Sequence, residues 1–431
     1  MRQPVLAGSV MQDAAAPKTV AIIGAGIVGV STAIWLQRAG HDVILIDRAG
    51  PAEGTSYGNA GVLAACSIVP VTVPGLVAKA PRMLLDPGQP LFLKWSYLPK
   101  LAPWLIRYLS HCRPEETRRI AVALHGVTGE SLADHLALAA GTGAERWIVP
   151  SDYVHLYSDR AHFDGDAFGW GIRRAHGFTW EELEGDALAR YDPIFAASLG
   201  FGIRVPDHGL IADPGRYTKD LARHVEAEGG RIIKAEVTDI VREGGRVTGV
   251  RAGDETIACN AAVVATGVWS KPLAQKLGID VPLESERGYH LELWEPSITP
   301  RSATMVASGK FVITPMDGRL RLAGMVEFGG LNAPPSRAPF ALLLRNIRRA
   351  MPSLTWKETR EWMGHRPAPA DSIPVIGEVP DIAGAFLGFG HHHIGLTAGP
   401  KTGRLLAQMI GGQTPNIDMR PYSPQRFQRH R

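Results

Sequence analysis

The sequence has few cysteines, no long hydrophobic run and little net charge, and each shortage excludes a class of protein. Its 431 residues contain three cysteines, Cys66, Cys112 and Cys259, which lie far apart and lack the spacing of metal ligands. This usage predicts a reducing compartment and no disulfide framework. No run of about 18 apolar residues occurs, so no membrane-spanning helix is expected. The net charge of +4 comes without a basic run that would suit a nucleic acid. We therefore expect a cytoplasmic protein that does not bind nucleic acid.

The overall composition is that of an ordinary globular protein. Hydrophobic residues make up 45% of the chain and charged residues 20%. At this length two domains are expected. Residues 1–17 show no periodicity and lack the apolar core of a secretory signal, which predicts a flexible N-terminal tail.

A glycine-rich turn between two predicted strands is the strongest single motif. Residues 19–23 form a β-branched run, typical of a strand buried on both faces, and lead into Gly24-Ala25-Gly26-Ile27-Val28-Gly29 and a predicted helix. A second apolar run ends at Asp47, about 20 residues on. In such a βαβ unit the glycines allow a tight turn, close approach of a pyrophosphate and close helix packing, while the acid accepts a ribose hydroxyl. The combination predicts dinucleotide binding, whereas a plain glycine-rich turn leaves Asp47 unexplained.

Two further segments are expected to contact the same cofactor. Residues 54–61 are rich in glycine and small polar side chains, which can wrap a polar ligand closely. A surface loop is the alternative, but the position just after the ribose-binding strand favours cofactor contact. Residues 261–267 form another buried run ending in Gly267, and ligands of doubly wound sheets lie beyond such strand ends.

Periodicity outlines most of the remaining chain. We predict helices over about 114–140 and 338–351, a helix capped by Asp213, a small antiparallel meander over 236–257, a β-rich block over 287–326 with a hairpin at Asp317-Gly318, and a final strand over 386–389 followed by a helix.

Residues 75–113 mix leucines and tryptophans with lysines and arginines. Such a segment could lie on a membrane surface. Helices packed over a substrate domain would have the same pattern, and four prolines interrupt the stretch. We favour the packed arrangement.

Three neighbouring histidines and one arginine are the candidate reactive residues. Successive side chains diverge in strands and helices, so His391, His392 and His393 are not expected to bind one metal. They precede a predicted helix whose first N–H groups would face an electron-rich group. Arg366 follows Gly364-His365 and precedes Pro367. Two interpretations are open for it: a structural ion pair, or an anchor for a planar carboxylate.

Six motifs occur in a fixed order along the chain: GAGIVG with Asp47-Arg48, TSYGNAG, ATGVWS, RGYHLEL, GHRPAPADSIPVIG and GHHHIGLTAGPKTG. With them the chain resembles the superfamily of FAD-dependent D-amino-acid oxidases and glycine oxidases, and within it the bacterial D-amino-acid dehydrogenase small subunits. The resemblance covers nearly everything after Lys18. It implies an α/β fold with a Rossmann-like FAD-binding domain made of residues 18–70, 206–284 and 360–431. An interleaved antiparallel-sheet substrate domain would take residues 71–205 and 285–359.

The resemblance also implies roles for individual residues. FAD would be held non-covalently, because no cysteine stands where some relatives tether the flavin. The expected FAD contacts are Gly24, Gly26, Ile27, Val28, Gly29, Asp47, Arg48, Ser56, Asn59, Ala60, Gly61, Val237, Gly267, Trp269, Gly390, His391, Ile394, Gly395, Leu396 and Thr397. The expected catalytic residues are Arg366, which would hold the substrate carboxylate, Tyr289, His392 and His393, and the expected pocket residues are Tyr57, Lys310 and Phe311.

The activity implied by the resemblance is oxidative deamination of a D-amino acid to a 2-oxo acid and ammonia. A hydride would pass from Cα to flavin N5, His392 or His393 would help to deprotonate the amine, and a quinone or another non-oxygen acceptor would take the electrons. If residues 75–113 touch a membrane, the protein would sit at the inner face of the cytoplasmic membrane.

Two departures from the family pattern leave the substrate open. Three histidines replace a glycine-containing turn, and Tyr57 replaces a small residue. The alternatives are a D-proline or D-hydroxyproline dehydrogenase, a glycine or sarcosine oxidase, oxidation of a 2-hydroxy acid, and a flavoprotein subunit of an electron-transfer complex. A homo-oligomer also stays open.

Overall fold

Two large sheets and their covering helices make up the described part of the chain, residues 16–86 and 88–428, in this computed structural model. Residues 1–15 of the predicted tail lie outside it. The strands are β1 (Thr19–Ile23), β2 (Asp42–Asp47), β3 (Val62–Leu63), β4 (Leu91–Leu93), β5 (Ile148–Tyr157), β6 (Glu181–Glu184), β7 (Phe201–Ile211), β8 (Arg231–Lys234), β9 (Val237–Glu243), β10 (Arg246–Ala252), β11 (Glu255–Ala258), β12 (Ala261–Val264), β13 (Leu283–Trp294), β14 (Ala303–Val306), β15 (Phe311–Met316), β16 (Arg319–Phe328), β17 (Glu358–Pro369), β18 (Val375–Glu378) and β19 (Ala385–Phe389). The α-helices are α1 (Ile27–Arg38), α2 (Leu76–Leu85), α3 (Leu98–Ser110), α4 (Pro114–Thr128), α5 (Ser131–Ala139), α6 (Arg160–Asp164), α7 (Ala167–Ala175), α8 (Asp186–Tyr191), α9 (Pro214–Ala227), α10 (Ser270–Lys276), α11 (Ala338–Ala350) and α12 (Gly395–Ile410).

The first sheet has six strands in the order β18-β19-β12-β1-β2-β8. Its strands pair in parallel except at the β18–β19 edge. Helices α1, α9 and α12 pack on one face, and the meander β9–β11 with α10 packs on the other. Both faces are therefore buried, which explains the continuous apolar runs of β1 and β12. The predicted βαβ unit and the meander are confirmed.

The second sheet has ten strands. Eight follow the order β17-β13-β16-β15-β14-β5-β7-β3, with β4 paired to β16 and β6 paired to β7. Helix α11 buries one face through residues such as Leu343 and Ile347. The predicted hairpin at Asp317-Gly318 is confirmed, because β15 and β16 pair antiparallel across it. The α/β fold class with a mainly antiparallel second sheet is confirmed.

The two sheets divide the chain nearly as the proposed domains do. Every strand of the first sheet falls within the predicted FAD-binding segments. The second sheet also takes residues 62–63, 206–211, 283–284 and 360–369. The short strand β3 lies inside a predicted FAD-binding segment, and the long strands β7, β13 and β17 cross the predicted boundaries. We keep the two-domain division as a proposal.

One predicted helix start is confirmed, and one predicted helix is divided in two. Asp213 caps α9 as predicted, since its Oδ1 accepts a hydrogen bond from the Arg216 N–H at 2.9 Å. The helix predicted over 114–140 is instead two helices, α4 and α5, which are separated at Gly129-Glu130.

Residues 75–113 pack partly against the second sheet. Trp104 is buried, stacks on Tyr108 and donates its indole N–H to the Ala368 carbonyl at 3.0 Å. Trp95 and Ile106 are 59% and 71% exposed. The packed arrangement therefore holds for one side of α3 only. Among the described residues, no helix is long and apolar enough to cross a membrane.

Candidate active site

One cavity of about 1240 Å³ is bordered by both sheets. The carboxyl ends of β1, β2, β12 and β19 open into it, as expected for a doubly wound sheet. Its wall includes every residue predicted to contact the cofactor except Gly29 and Gly61. These two lie just behind the wall, and both are tightly packed.

The glycine-rich turn has the geometry that the motif predicts. Gly24 has φ +108°, and a Cβ there would lie 2.5 Å from the Ala265 carbonyl oxygen. A Cβ on Gly29 would lie 1.9 Å from the Gly24 carbonyl oxygen, so only glycine lets helix α1 pack this closely. The first turn of α1, whose N–H groups have no partner within the helix, borders the cavity through Ile27 and Val28.

Asp47 organises this turn through its carboxylate. Oδ2 accepts from the Ala25 N–H at 2.9 Å, and Oδ1 accepts from the N–H groups of Ala49 and Gly50 at 2.8 and 3.0 Å. A carboxylate has about four acceptor positions, so capacity remains for a ribose hydroxyl. Asp47 thus shapes the loop, and its contact with a ribose hydroxyl stays a prediction.

Arg48 and Trp269 form one side of the cavity. The Arg48 guanidinium carbon lies 4.2 Å from the centroid of the Trp269 ring. Val237 and Gly267 border the same region. These flat and small groups leave room for an aromatic base.

The second glycine-rich loop is held by residues that the sequence did not identify. Arg321 Nη1 donates to the carbonyls of Tyr57 and Asn59 at 2.9 and 2.6 Å. Glu292 pairs with Arg321 and with Arg319 in the buried interior. Burial opposes ionisation of Glu292, but the two arginines outweigh it and lower its pKa to about 2.

Within this loop, Ser56 and Asn59 are both engaged. Ser56 Oγ accepts from the Ile27 N–H at 2.9 Å, and Asn59 Oδ1 accepts from the Gly61 N–H at 2.8 Å. The loop therefore closes against the N-terminus of α1, where both segments border the cavity.

The first turn of α12 also borders the cavity. Gly395, Leu396 and Thr397 line it, and α12 has no side-chain N-cap. The turn is fixed from behind, because His135 Nε2 contacts the Leu396 carbonyl at 2.9 Å. Such a helix start is suited to an electron-rich edge of a ligand.

A charged cluster stands at one end of the cavity. Arg366 on β17 faces Glu286 on β13 in register, and its Nη1 lies 3.3 Å from Glu286 Oε1 and from the Met325 carbonyl. His392 Nε2 pairs with Glu286 Oε2. The side chains of Glu286 and His392 are 8% and 5% exposed, whereas that of Arg366 is 17% exposed. Glu286 is a site residue that the sequence reasoning missed.

The three histidines have three different environments. His391 Nε2 bonds to Thr402 Oγ1 at 2.9 Å, and burial lowers its pKa to about 4. His392 has φ +51°, which turns the chain so that its Nδ1 lies 2.6 Å from Nδ1 of His393. The expectation that successive histidine side chains diverge is therefore wrong for this pair.

Two predicted site residues lie outside the cavity wall, and a third borders it without offering its hydroxyl. Tyr289 lines the cavity, but its side chain is buried and its hydroxyl donates to Glu327 at 2.6 Å. Phe311 is fully buried in the core under α11. Tyr57 packs against His290 and Trp362 outside the cavity wall. Lys310 does line the cavity, as predicted.

Trp362 is a second residue that the sequence reasoning missed. Its ring stacks on His290, with centroids 4.9 Å apart, and lines the cavity. A Cβ on Gly58 or Gly364 would lie within 2.0 Å of this ring. The two glycines were the available signal for an aromatic ring packed against the backbone. No signal pointed to His155 and Arg173, which also line the cavity.

These features fit an FAD molecule. The glycine turn of α1 leaves a cradle that a Cβ would fill, Asp47 stands at the following strand end, and the α12 turn faces the same cavity. None of the three cysteines is in the cavity wall among the described residues.

Comparison with known proteins agrees with this geometry. Residues 19–409 match the DAO family, described as FAD dependent oxidoreductase. The chain is 39% identical to a D-amino-acid oxidase of Bradyrhizobium diazoefficiens over 95% of this chain and 98% of that one. It is 31% identical to a D-amino acid dehydrogenase of Rhizobium rhizogenes over 95% and 99%. The glycine oxidase structure from Geobacillus kaustophilus has a similar fold, with a TM-score of 0.72, 22% identity and coverage of 96% and 99%.

The family match spans most of the chain, and the relatives are matched over nearly their whole length. The cavity geometry and these comparisons lead to one conclusion: the chain is an enzyme of the DAO family of FAD-dependent oxidoreductases.

Proposed function

We propose that this protein oxidatively deaminates D-amino acids to 2-oxo acids and ammonia and passes the electrons to a quinone or another non-oxygen acceptor. The observation that carries the proposal is Arg366, a guanidinium in the wall of the same cavity that the FAD-binding turn borders. The names of the two relatives, a D-amino-acid oxidase and a D-amino acid dehydrogenase, support the substrate class.

The residues that line the cavity would bind the substrate and position it for the reaction. Arg366 would hold the substrate carboxylate through its planar fork, and Lys310 and Trp362 would border the substrate. The chemistry that FAD supplies is uptake of the hydride from the substrate Cα at flavin N5. The protein contributes orientation and a preorganised electrostatic setting.

Anaerobic flavin bleaching tests the proposal directly. The FAD-loaded protein is mixed with D-amino acids, L-amino acids, D-proline, D-hydroxyproline, glycine, sarcosine and 2-hydroxy acids, and air is then admitted. We expect bleaching by primary D-amino acids and slow recolouring in air, since the proposed acceptor is not oxygen. Bleaching by a secondary amine or a hydroxy acid alone would contradict the substrate class, and rapid recolouring would contradict the acceptor.

The charge distribution supports a peripheral membrane contact as part of this proposal. Residues 75–113 contain six Lys or Arg and one Asp, a net charge of +5, whereas the whole chain has +4, so the remainder carries −1. Half of the exposed large hydrophobic side chains of the described residues lie between Val71 and Ile106. Val71, Val73 and Pro74 also border the cavity. A basic and apolar surface at the cavity mouth suits an anionic lipid surface and a lipid-soluble acceptor.

Vesicle co-sedimentation tests this contact. The full chain should bind anionic phospholipid vesicles, and high salt should weaken the binding. Ile106→Glu should abolish it, because Ile106 is 71% exposed within the segment, while Leu136→Glu, at a 45% exposed site on α5, should not. Equal binding of both variants, or no binding by the wild type, would refute the contact. Trp104 is unsuitable for this test because it is buried.

A further inference from the structure

We propose that Glu286, His392 and His393 form a proton relay that takes the proton from the substrate amine before oxidation. The inference rests on the proposed function, and it assigns a role to the buried acid that no sequence motif indicated. It starts from the chain of contacts between Glu286 Oε2, His392 Nε2, His392 Nδ1 and His393 Nδ1.

In the proposed relay each contact holds one proton. Ionised Glu286 only accepts, so the proton between its Oε2 and Nε2 of His392 belongs to His392. If His392 is neutral, its Nδ1 has a lone pair. The 2.6 Å contact then requires that the proton between the two Nδ1 atoms belongs to His393. Nε2 of His393 is consequently left as an acceptor.

The ring that carries this acceptor borders the cavity. His393 lines the cavity and is exposed to it, although the cavity itself lies deep in the protein. Burial lowers the pKa of His393 to about 3; His392 and Arg366 lower it further, and Glu286 opposes them. His393 is therefore neutral at pH 7, but by itself it would be a weak base.

The relay explains how such a histidine could still accept a proton. A proton from the substrate ammonium would bind to Nε2 of His393, and the proton on its Nδ1 would move to Nδ1 of His392. Two N–H bonds break, one on the substrate and one at Nδ1 of His393, two form, at Nε2 of His393 and Nδ1 of His392, and no group is oxidised or reduced. The positive charge then resides on His392, which Glu286 faces directly.

The other groups around the relay favour this arrangement. Burial opposes the charged form of Glu286, but His392 and Arg366 lower its pKa to about 2, so Glu286 stays ionised. Arg366 disfavours a positive charge on the relay until a carboxylate ligand neutralises it. Lys310 lines the same cavity, and Tyr108 of α3 lies near Glu286 with a raised pKa. Substrate binding and proton uptake would therefore be coupled.

The test compares Glu286→Gln, His393→Gln and the double variant in single-turnover anaerobic bleaching by a D-amino acid from pH 6 to pH 10. Without the relay, only substrate that is already deprotonated reacts. We therefore expect flavin bleaching by each single variant to be at least about tenfold slower at pH 7. The rising limb of its pH–rate profile should shift to higher pH by at least about one unit. Its rate should approach that of the wild type at pH 10.

Non-additivity distinguishes a relay from two separate effects. The double variant should be no slower than the slower single variant, because both substitutions break the same path. Glu361→Gln is the matched control, since this exposed glutamate lies on β17 beside Arg337 and outside the cavity wall. The dissociation constant of a carboxylate analogue that lacks an amine can be measured from changes in the flavin spectrum. It should change less than threefold in His393→Gln.

Each outcome has a separate meaning. A loss of rate that is equal at every pH, or a pH shift in Glu286→Gln without one in His393→Gln, would overturn the relay and leave the proposed function standing. If no D-amino acid bleaches the flavin of the wild-type protein, both the relay and the proposed function are overturned.

Discussion

A methyl group added at Gly288 should displace Arg366 without removing it. Gly288 lies on β13, two residues from Glu286 and opposite Gly364. A Cβ there would lie 2.7 Å from Cζ of Arg366 and 2.8 Å from its Nη2. Ordinary contact between such atoms is about 3.5–4.0 Å, so the guanidinium would have to move by about 1 Å.

The expected effect of Gly288→Ala is on substrate binding and reaction. The group that moves is the end of a flexible side chain, and Gly288 does not have a left-handed backbone, so the fold should tolerate alanine. A misplacement of about 1 Å in a positioning group costs about 100-fold in rate. We expect kcat/KM for a D-amino acid to fall by about 10- to 100-fold, mainly through KM, which corresponds to about 1.4–2.8 kcal/mol.

Steady-state kinetics with an artificial electron acceptor measure this effect, and the flavin spectrum reports whether FAD is still bound. Gly171→Ala on α7 is the matched control, because a Cβ there meets nothing within 4 Å. If Gly288→Ala binds FAD and has unchanged kcat/KM, the carboxylate does not bind at Arg366 and the assignment is refuted.

Three further predictions concern the cofactor and the substrate. Arg366→Ala should raise KM by an amount equivalent to at least about 2 kcal/mol and leave the bound-FAD spectrum intact, with partial recovery in Arg366→Lys; unchanged kinetics would contradict this. Asp47→Ala should raise the dissociation constant of FAD at least about tenfold, measured by fluorescence titration, because three N–H groups lose a charged acceptor; unchanged affinity would mean that these bonds do not shape the site. Glu292→Gln should weaken FAD binding and lower the free energy of unfolding in urea, because it loosens Arg321 from the 54–61 loop. Since the pKa of Glu292 is about 2 in the folded protein against an ordinary value of 4.5, its stabilisation should be full above about pH 4.5 and should disappear as the pH falls towards 2; a stability difference that is constant over this range would refute the ionised pair.

The sequence by itself determined the FAD-binding half of the site. The turn at Gly24 and Gly29 depends on local backbone conformation and close packing, and the acid at Asp47 stands at a fixed distance from it along the chain. Such features can be predicted from the sequence because the residues that form them are neighbours both along the chain and in space. Arg366 could also be proposed as a candidate carboxylate anchor from its neighbours in the sequence, whereas its partner Glu286 could not.

Only the tertiary structure decided the substrate half. Strand β13 is buried on both faces along nearly its whole length, so no alternation of polar and apolar residues shows which face meets the cavity. Pairing with β17 and the cover of α11 place Glu286 inside and turn the Tyr289 hydroxyl away. The contact between His392 and His393 likewise depends on a left-handed residue that no local pattern required. Partners that come from distant strands are fixed by register, which the chain reaches only when it folds.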